Sequence, residues 1–390
     1  MAITGTSEKN TGRIRLGMVG GGQGAFIGAV HRLAARMDDQ YQFVAGALSA
    51  DAARSKASGE ELGLAPDRIY SDFQVMAKAE AKRSDGIEVV SIVTPNHMHY
   101  PAAKAFIEAG IHVVCDKPLS LNLKEALALE KLLAKKKDVI FALTHNYSGY
   151  PMIRQAKAMV AAGELGDIRL VQGEYPQDWL TTDLEKTGQK QAAWRTDPKR
   201  SGAGGCVGDI GTHTYQLGCF VSGLKLDELS ADLTSFVKGR KLDDNAHILL
   251  RYKGGAKGMI WASQVAPGHE NGLKIRVYGT KGGLEWVQAD PNYLWYTPYG
   301  EPKRLITRGG SGSNAAAARV TRIPSGHPEG YLEGFANIYT EVSRAIKARR
   351  VGKKPDAQVE FPGIADGVAG MAFIEACVKS STKNGKWTRV

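Results

Sequence analysis

The sequence predicts an α/β protein of two domains: a doubly wound parallel sheet, then an α/β domain built on a large, mostly antiparallel sheet. Three observations predict it. Strand and helix patterns alternate through residues 13–146, as in a parallel sheet covered by helices on both faces. A glycine-rich turn joins the first strand to the first helix. Beyond about residue 150, strands follow one another without helices between them, as antiparallel strands do. The chain has 390 residues, past the roughly 250–300 at which one core stops growing.

The elements run in order. Ile14–Gly20 is an apolar extended run, and Phe26–Met37 follows with helical periodicity. Phe43–Ser49 is the second strand, ahead of a helix through Glu61. Val89–Thr94 is β-branched, Ala102–Ala109 helical, Ile111–Cys115 extended, Leu123–Lys135 helical and Val139–Leu143 extended. The second part starts with a helix over Met152–Ala162. Strands are expected at Ile168–Gln172, Leu229–Val237, His247–Tyr252, Gly258–Ser263, Lys274–Gly279 and Gly283–Val287. Two late helices cover Tyr331–Arg349 and Ile364–Lys379. Tyr175 to Gly205 is a long polar loop, of the kind that usually carries function, and Gly309–Ala318 is a second flexible candidate. The domain bounds expected are a flexible tail at 1–12, a nucleotide domain at 13–146, and a substrate and oligomerisation domain at 147–390.

Composition excludes several classes. Hydrophobic residues make up 43% and charged residues 23%, which is ordinary for a globular chain. No run nears the ~20 apolar residues that span a bilayer, so no membrane role is expected. The first dozen residues are small and polar and lack the apolar run of a secretory signal; the expected compartment is the cytoplasm. Cys115, Cys206, Cys219 and Cys377 form no CxxC pair and have no histidine at ligand spacing. No metal is expected. The net charge of +11 suits an anionic ligand or a solvated surface equally. Lys135-Lys136-Lys137 ends a helix without interleaved aromatics, so no nucleic-acid partner is expected.

Leu16–Gly28 reads LGMVGGGQGAFIG. Gly20, Gly22 and Ala25 fit GxGxxA: a tight turn, close backbone approach to a pyrophosphate, and a small residue where helix meets strand. The helix N-terminus beyond it offers an anion site. Together these mark a Rossmann dinucleotide domain. The second strand ends on Ser49 rather than an acidic residue, with Asp51 and Arg54 nearby. An acidic residue there would bind the ribose hydroxyls and repel a 2′-phosphate. Arg54 could grip that phosphate or be a solvated helix residue, so both NAD and NADP stand open.

Two further segments carry the chemistry. Cys115-Asp116-Lys117-Pro118 lies at the carboxyl end of a parallel strand, where such sheets bind ligands. Gly204-Gly205-Cys206-Val207-Gly208-Asp209-Ile210-Gly211-Thr212-His213 opens a helical pattern, with Asp209 and His213 four apart on one face. With the glycine loop, Thr94-Pro95-Asn96 and His97 and His99, these motifs resemble the glucose–fructose oxidoreductase / inositol dehydrogenase / rhizopine-catabolism (Gfo/Idh/MocA) family over nearly the whole chain. Asp116 stands where that family usually has glutamate, and Ser49 where it usually has an acid. Ser49, Arg54 and Tyr70 are similar to an NADP-binding pattern of some members.

The resemblance implies an open second sheet that builds a homodimer or homotetramer, a carbohydrate or cyclitol substrate, and a site that can be named residue by residue. Gly20, Gly22, Gln23, Ala25, Ser49, Arg54, Thr94, Pro95, Asn96, His99 and Lys117 would bind the cofactor. Lys117, Asp209 and His213 would be catalytic and meet the substrate. Read from position alone, Tyr147, Arg195 and His327 are further candidates for substrate contact, with His145, Asn146, Asp178, Trp179 and Trp194 beside them; for each of these, surface packing serves at least as well. Chemically, His213 suits a base titrating near neutrality, Lys117 can steady a developing alkoxide, and Asp209 can anchor a neighbouring hydroxyl or orient the base. The expected activity is NAD(P)-dependent hydride transfer at a secondary hydroxyl of a sugar, glycoside or cyclitol. The alternative is a redox-neutral glycosidase that oxidises C3 transiently. A nucleotide sensor, the third class, would lack the lysine and histidine.

Overall fold

The computed structural model describes residues 12–390; the expected tail lies, but for Gly12, outside the described residues. The chain divides into two compact units. Among the described residues, the first comprises 12–120, 124–149 and 331–368, and the second 121–123, 150–330 and 369–390. The helix Tyr331–Arg350 thus returns to the first unit, whereas the sequence reading leaves it in the second. Its apolar stripe explains this. Phe335, Ile338, Tyr339, Val342 and Ile346 share one buried cluster with Ile14, Leu16, Val30, Ala34, Val89 and Val114, each such side chain contributing ~1.5–3 kcal/mol by leaving water. The periodicity gives an amphipathic helix, but no sequence feature says which sheet it covers.

In the first unit the order is β1 (Ile14–Gly20), α1 (Phe26–Met37), β2 (Tyr41–Ala47), α2 (Ala52–Glu61), α3 (Phe73–Glu80), β3 (Val89–Val93), α4 (His99–Glu108), β4 (His112–Cys115), α5 (Leu123–Lys135) and β5 (Phe141–Leu143). The strands lie in the order β2-β1-β3-β4-β5, all parallel. The order reverses between β1 and β3, so the crevice at their carboxyl ends is where a ligand binds. Gly20 pairs with Val93 there, which sets the glycine loop beside Thr94. Helix α4 begins at His99, earlier than expected, since Pro101 falls in its first turn, where proline is tolerated. Helix α3 escapes the sequence reading.

The second unit holds α6 (Pro151–Ala161), β6 (Ile168–Pro176), α7 (Lys190–Arg195), α8 (Pro198–Ser201), α9 (Thr212–Ser222), β7 (Leu226–Thr234), β8 (Asn245–Tyr252), β9 (Lys257–Ser263), β10 (Lys274–Gly279), β11 (Gly282–Val287), β12 (Tyr293–Pro298), β13 (Arg304–Thr307) and β14 (Thr388–Arg389). Nine strands form one sheet in the order β13-β12-β11-β10-β6-β9-β8-β7-β14. Among the described residues only the β6–β9 pairing in this sheet is parallel. Strand β7 ends at Thr234 rather than Val237, because the Phe236 and Val237 amides turn to the Asp244 carboxylate. Strands β12 to β14 are additions to the sequence reading, and the long polar loop contains α7 and α8.

Alternation sets the two faces of this sheet. On β8, Ala246, Ile248 and Leu250 are buried, while Leu249 is about half exposed at 54%. Helix α9 covers the inner face so closely that a Cβ on Gly173 would sit 2.2 Å from Thr214 Cγ2. The outer face carries Leu170, Leu249, Met259, Tyr278, Trp295 and Leu305, all exposed. Among the described residues no helix is long and apolar enough to cross a membrane.

Candidate active site

The glycine loop is held from three sides. Gly22 N–H donates to the Leu48 carbonyl at 3.2 Å, and Gln23 N–H donates to Ser58 Oγ at 3.0 Å. Arg32 Nη1 donates to the Gly21 carbonyl at 2.8 Å. A Cβ on Gly22 would stand 2.7 Å from Ser58 Oγ and 2.8 Å from Leu48 O. Gly22 is therefore required first by the protein's own packing, before any pyrophosphate arrives. The helix–loop approach assigned to Ala25 belongs instead to Gly28, where a Cβ would lie 2.4 Å from Gly21 Cα. Ala25 is the N-cap of α1; it makes no side-chain cap and no acidic residue occupies the first turn. The amides at that end thus keep their capacity for an anion.

Thr94 Oγ1 and Asn146 Nδ2 are among the buried polar atoms left without a hydrogen-bond partner. Thr94 borders the loop, since a Cβ on Gly20 would lie 3.0 Å from Thr94 Cγ2. Buried polar groups left unmatched by protein ask for a ligand or water. An uncapped helix behind a close-packed glycine turn, with an orphan hydroxyl beside it, fits a dinucleotide. At the end of β2, Ser49 Oγ accepts from Asp51 N–H at 3.2 Å, Asp51 caps α2, and Arg54 is exposed. Tyr70 does not join them. Its hydroxyl donates to Glu80 Oε1 at 2.8 Å, and burial with that bond pushes its pKa up to about 12.

His99 is the other correction. It is fully buried, with Nε2 2.8 Å from the Thr94 carbonyl and Nδ1 2.6 Å from that of Pro118. A ring occupied by two backbone carbonyls holds the polypeptide and offers the cofactor neither nitrogen. Pro95 and Asn96 precede it on the same short turn, with Asn96 buried. Asp116 Oδ1 accepts from Thr144 Oγ1 and from Lys117 N–H, both at 2.9 Å, which fixes the backbone that projects Lys117. The Lys117 side chain is half-buried. His145 and Tyr147 are buried nearby in sequence. Burial first, then the Lys117 charge, push the His145 pKa down to about 3, so its ring is neutral.

In the second unit, Asp209 lies in a π-helical turn, Val207–Gly211, that runs into α9, an irregularity frequent at functional sites. Its Oδ2 accepts from Gln264 Nε2 at 2.9 Å and from Arg195 Nε at 3.2 Å. Arg195 also donates to Gln191 Oε1 at 2.6 Å and stacks on the Trp194 ring at 4.3 Å, with Trp179 at 5.9 Å. The structure thus gathers Asp209, Arg195, Trp179 and Trp194. It adds Gln264 and Gln191, which nothing in the sequence singles out. His213, buried in the first turn of α9, packs against the Tyr175 ring at 6.2 Å. His327 and Asp178 stand apart from these contacts, His327 exposed.

A Rossmann unit with an open anion site defines a dinucleotide-binding protein. Comparison with known proteins agrees. Residues 14–147 match the oxidoreductase family with the NAD-binding Rossmann fold, and residues 153–285 match the GFO/IDH/MocA C-terminal domain. The uncharacterized oxidoreductase YfiI of Bacillus subtilis is 39% identical over 378 residues, 96% of each chain. A crystal structure of an oxidoreductase from Sinorhizobium meliloti is 61% identical, with a TM-score of 0.87 over 96% of this chain and 99% of its own. An inositol dehydrogenase homolog from Azotobacter vinelandii, complexed with NADH and myo-inositol, is 37% identical, with a TM-score of 0.90 over 97% and 98%. The chain belongs to the Gfo/Idh/MocA oxidoreductase family.

Proposed function

We propose that the protein is an NAD-dependent dehydrogenase that oxidises a secondary hydroxyl of a cyclitol or sugar, with an inositol as the leading substrate. The observation that carries this is the Asp209 carboxylate, braced on one oxygen by Gln264 and Arg195. A fixed, ionised acceptor of this kind pairs with a hydroxyl of a polyol and rejects an apolar ring. The inositol dehydrogenase homolog bound to NADH and myo-inositol supports the choice of cyclitol and of NAD.

When bound, the nicotinamide supplies the acceptor for the hydride leaving the alcohol carbon. The protein's own residues do the rest. The uncapped end of α1 takes the pyrophosphate. Thr94 Oγ1 and Asn146 Nδ2 offer hydrogen bonds that the protein leaves unused. His213 accepts the hydroxyl proton as general base. Lys117, its backbone held by Asp116, stabilises negative charge on the reacting oxygen. Arg195, presented by stacking on Trp194, and Tyr147 contribute to the substrate pocket. The chain acts as a homo-oligomer through the exposed apolar face of its nine-stranded sheet, since contiguous exposed patches of this kind mark interfaces.

The test is a panel of inositols, hexoses and glycosides offered with NAD and with NADP, followed by the absorbance of reduced nicotinamide. An inositol giving steady NADH supports the reading. Cleavage of a glycoside with no net reduced cofactor would replace it with the redox-neutral alternative.

A further inference from the structure

The turn that leads into Asp209 is gripped by a single buried residue. Asp243 Oδ1 accepts from Gly205 N–H at 2.6 Å, and Oδ2 accepts from Val207 N–H at 2.8 Å. The carbonyl of the same residue accepts from Cys206 N–H at 2.8 Å. Three consecutive amides are thus satisfied by one aspartate. The grip also accounts for a glycine. A Cβ on Gly205 would lie 2.1 Å from the Asp243 carbonyl oxygen, so no other residue can come this close.

The neighbouring Asp244 behaves differently. It turns to the Phe236 and Val237 amides and to Arg240, which neutralises it. Asp243 has no such cation: among the described residues its carboxylate accepts from backbone N–H groups and faces the Cys206 thiol. Such a carboxylate, buried and unpaired, is costly to keep ionised. A structural clamp for a turn could be built from a neutral side chain at lower cost. What the ionised form alone supplies is two strong acceptors at once.

We infer that Asp243 is a positioning residue: by gripping residues 205–207 it fixes the turn that projects Asp209 and His213, without touching the substrate. The inference rests on the dehydrogenase reading for its consequence in catalysis, but the clamp itself does not. Protonation makes one oxygen of the carboxyl a donor, which faces a donor N–H, so one arm of the grip opens. Burial pushes this carboxyl up to about 6, with the Asp244 charge adding to the rise and the Gly205 and Val207 amides opposing it. The other titratable groups facing it are Cys206 on the turn and Cys377 on the helix Ile364–Ser381. Both thiols are held neutral by burial and by the Asp243 charge. The grip therefore opens just below neutral pH.

The test uses the full chain and two readouts. Hydrogen exchange of peptides spanning residues 203–209, corrected for intrinsic rates, is compared near pH 5 and near pH 7.5. Protection is expected to fall about tenfold at the lower pH in the wild type, and to be low at both in Asp243→Asn. Constant protection in the wild type overturns the clamp, whether or not the variant folds. Turnover with NAD and myo-inositol is the second readout. Asp243→Asn and Gly205→Ala should each lose about 100-fold in kcat, the scale of a ~1 Å misplacement, with KM for NAD unchanged. The acid limb of the wild-type profile near pH 6 should lose its Asp243 component in Asp243→Asn and keep only the limb that the His213 base imposes. An Asp243→Asn protein with wild-type kcat and an unmoved acid limb overturns the positioning role. A wild-type protein that yields no NADH from any polyol fails the dehydrogenase reading instead, and the exchange readout still decides the clamp.

Discussion

His99 Nδ1 lies 2.6 Å from the carbonyl oxygen of Pro118, while its Nε2 lies 2.8 Å from that of Thr94. One buried ring therefore ties the end of β3 to the segment carrying Lys117. Carbonyls only accept, so the neutral ring, with one N–H, donates to one of them at a time. The His99 pKa is lowered on balance: burial, with the Lys117 charge, outweighs Asp116 and the two carbonyls that push it up.

His99→Leu should remove the N–H that these carbonyls share in a dry site, at about 1–3 kcal/mol for the hydrogen bond lost. Urea unfolding should show that loss, and turnover should fall because Lys117 is less well placed. His99→Asn, able to serve one carbonyl, should fall between. Unchanged stability and turnover in the leucine variant would mean the ring is not a tie.

Gly22→Ala tests the glycine loop. Its Cβ would meet Leu48 O and Ser58 Oγ at under 3 Å, so the loop must shift away from β2 and α2. NAD affinity, measured by titration, should drop at least tenfold, with a lower thermal midpoint, because the same atom strains the free protein. A loss of affinity with no loss of stability would return Gly22 to the simpler role of admitting the pyrophosphate.

Arg195→Gln removes one of the two braces on Asp209 and the stack on Trp194. The kcat/KM for the polyol should fall by roughly 10–100-fold, about 1.4–2.8 kcal/mol, while KM for NAD stays put. Equal effects on both ligands would show a general disturbance of the second unit.

Several histidines contribute to the acid stability, among them buried His31 and half-buried His112. Burial lowers both to about 4, and His112 Nδ1 accepts from Ile140 N–H, which requires it neutral. The unfolded chain takes up protons that the native chain refuses, so stability falls as pH drops from about 6.5 toward 4. Near pH 5 each costs about 2 kcal/mol. His31→Gln, which can still meet the Tyr339 hydroxyl that His31 contacts at 2.9 Å, should flatten part of that fall in urea midpoints taken between pH 7.5 and 5. An identical pH dependence in the variant would contradict it.

Much of the fold is legible because local pattern and tertiary role coincide. The helix bounds Phe26–Met37 and Leu123–Lys135 are read to the residue, as each apolar stripe ends where polar residues begin. The Asp209 and His213 turn is visible because glycines crowd it. What escapes is set by partners distant in sequence. Gln264 reaches Asp209 across 55 residues, and nothing local marks it. Ala25 is mistaken for Gly28 because the motif counts spacing, while the contact depends on where α1 begins. His99 reads as a cofactor ligand because a histidine after Thr94-Pro95-Asn96 has the right chemistry; only the positions of two carbonyls show how it is used. Asp243 sits ahead of β8 with no motif at all.

The central claim is net hydride transfer from a polyol to NAD, with His213 as base and Lys117 steadying the oxygen. The most direct measurement is a single turnover with enzyme in excess over myo-inositol deuterated at every ring carbon, at saturating NAD. One deuterated NADH should form per ketone. The rate should drop by about 100- to 10,000-fold for His213→Ala, partly restored as pH rises, with a weaker pH rescue for Lys117→Ala. If no ketone and no deuterated NADH accumulate with any inositol or sugar, or if His213→Ala keeps the wild-type rate, the account is wrong.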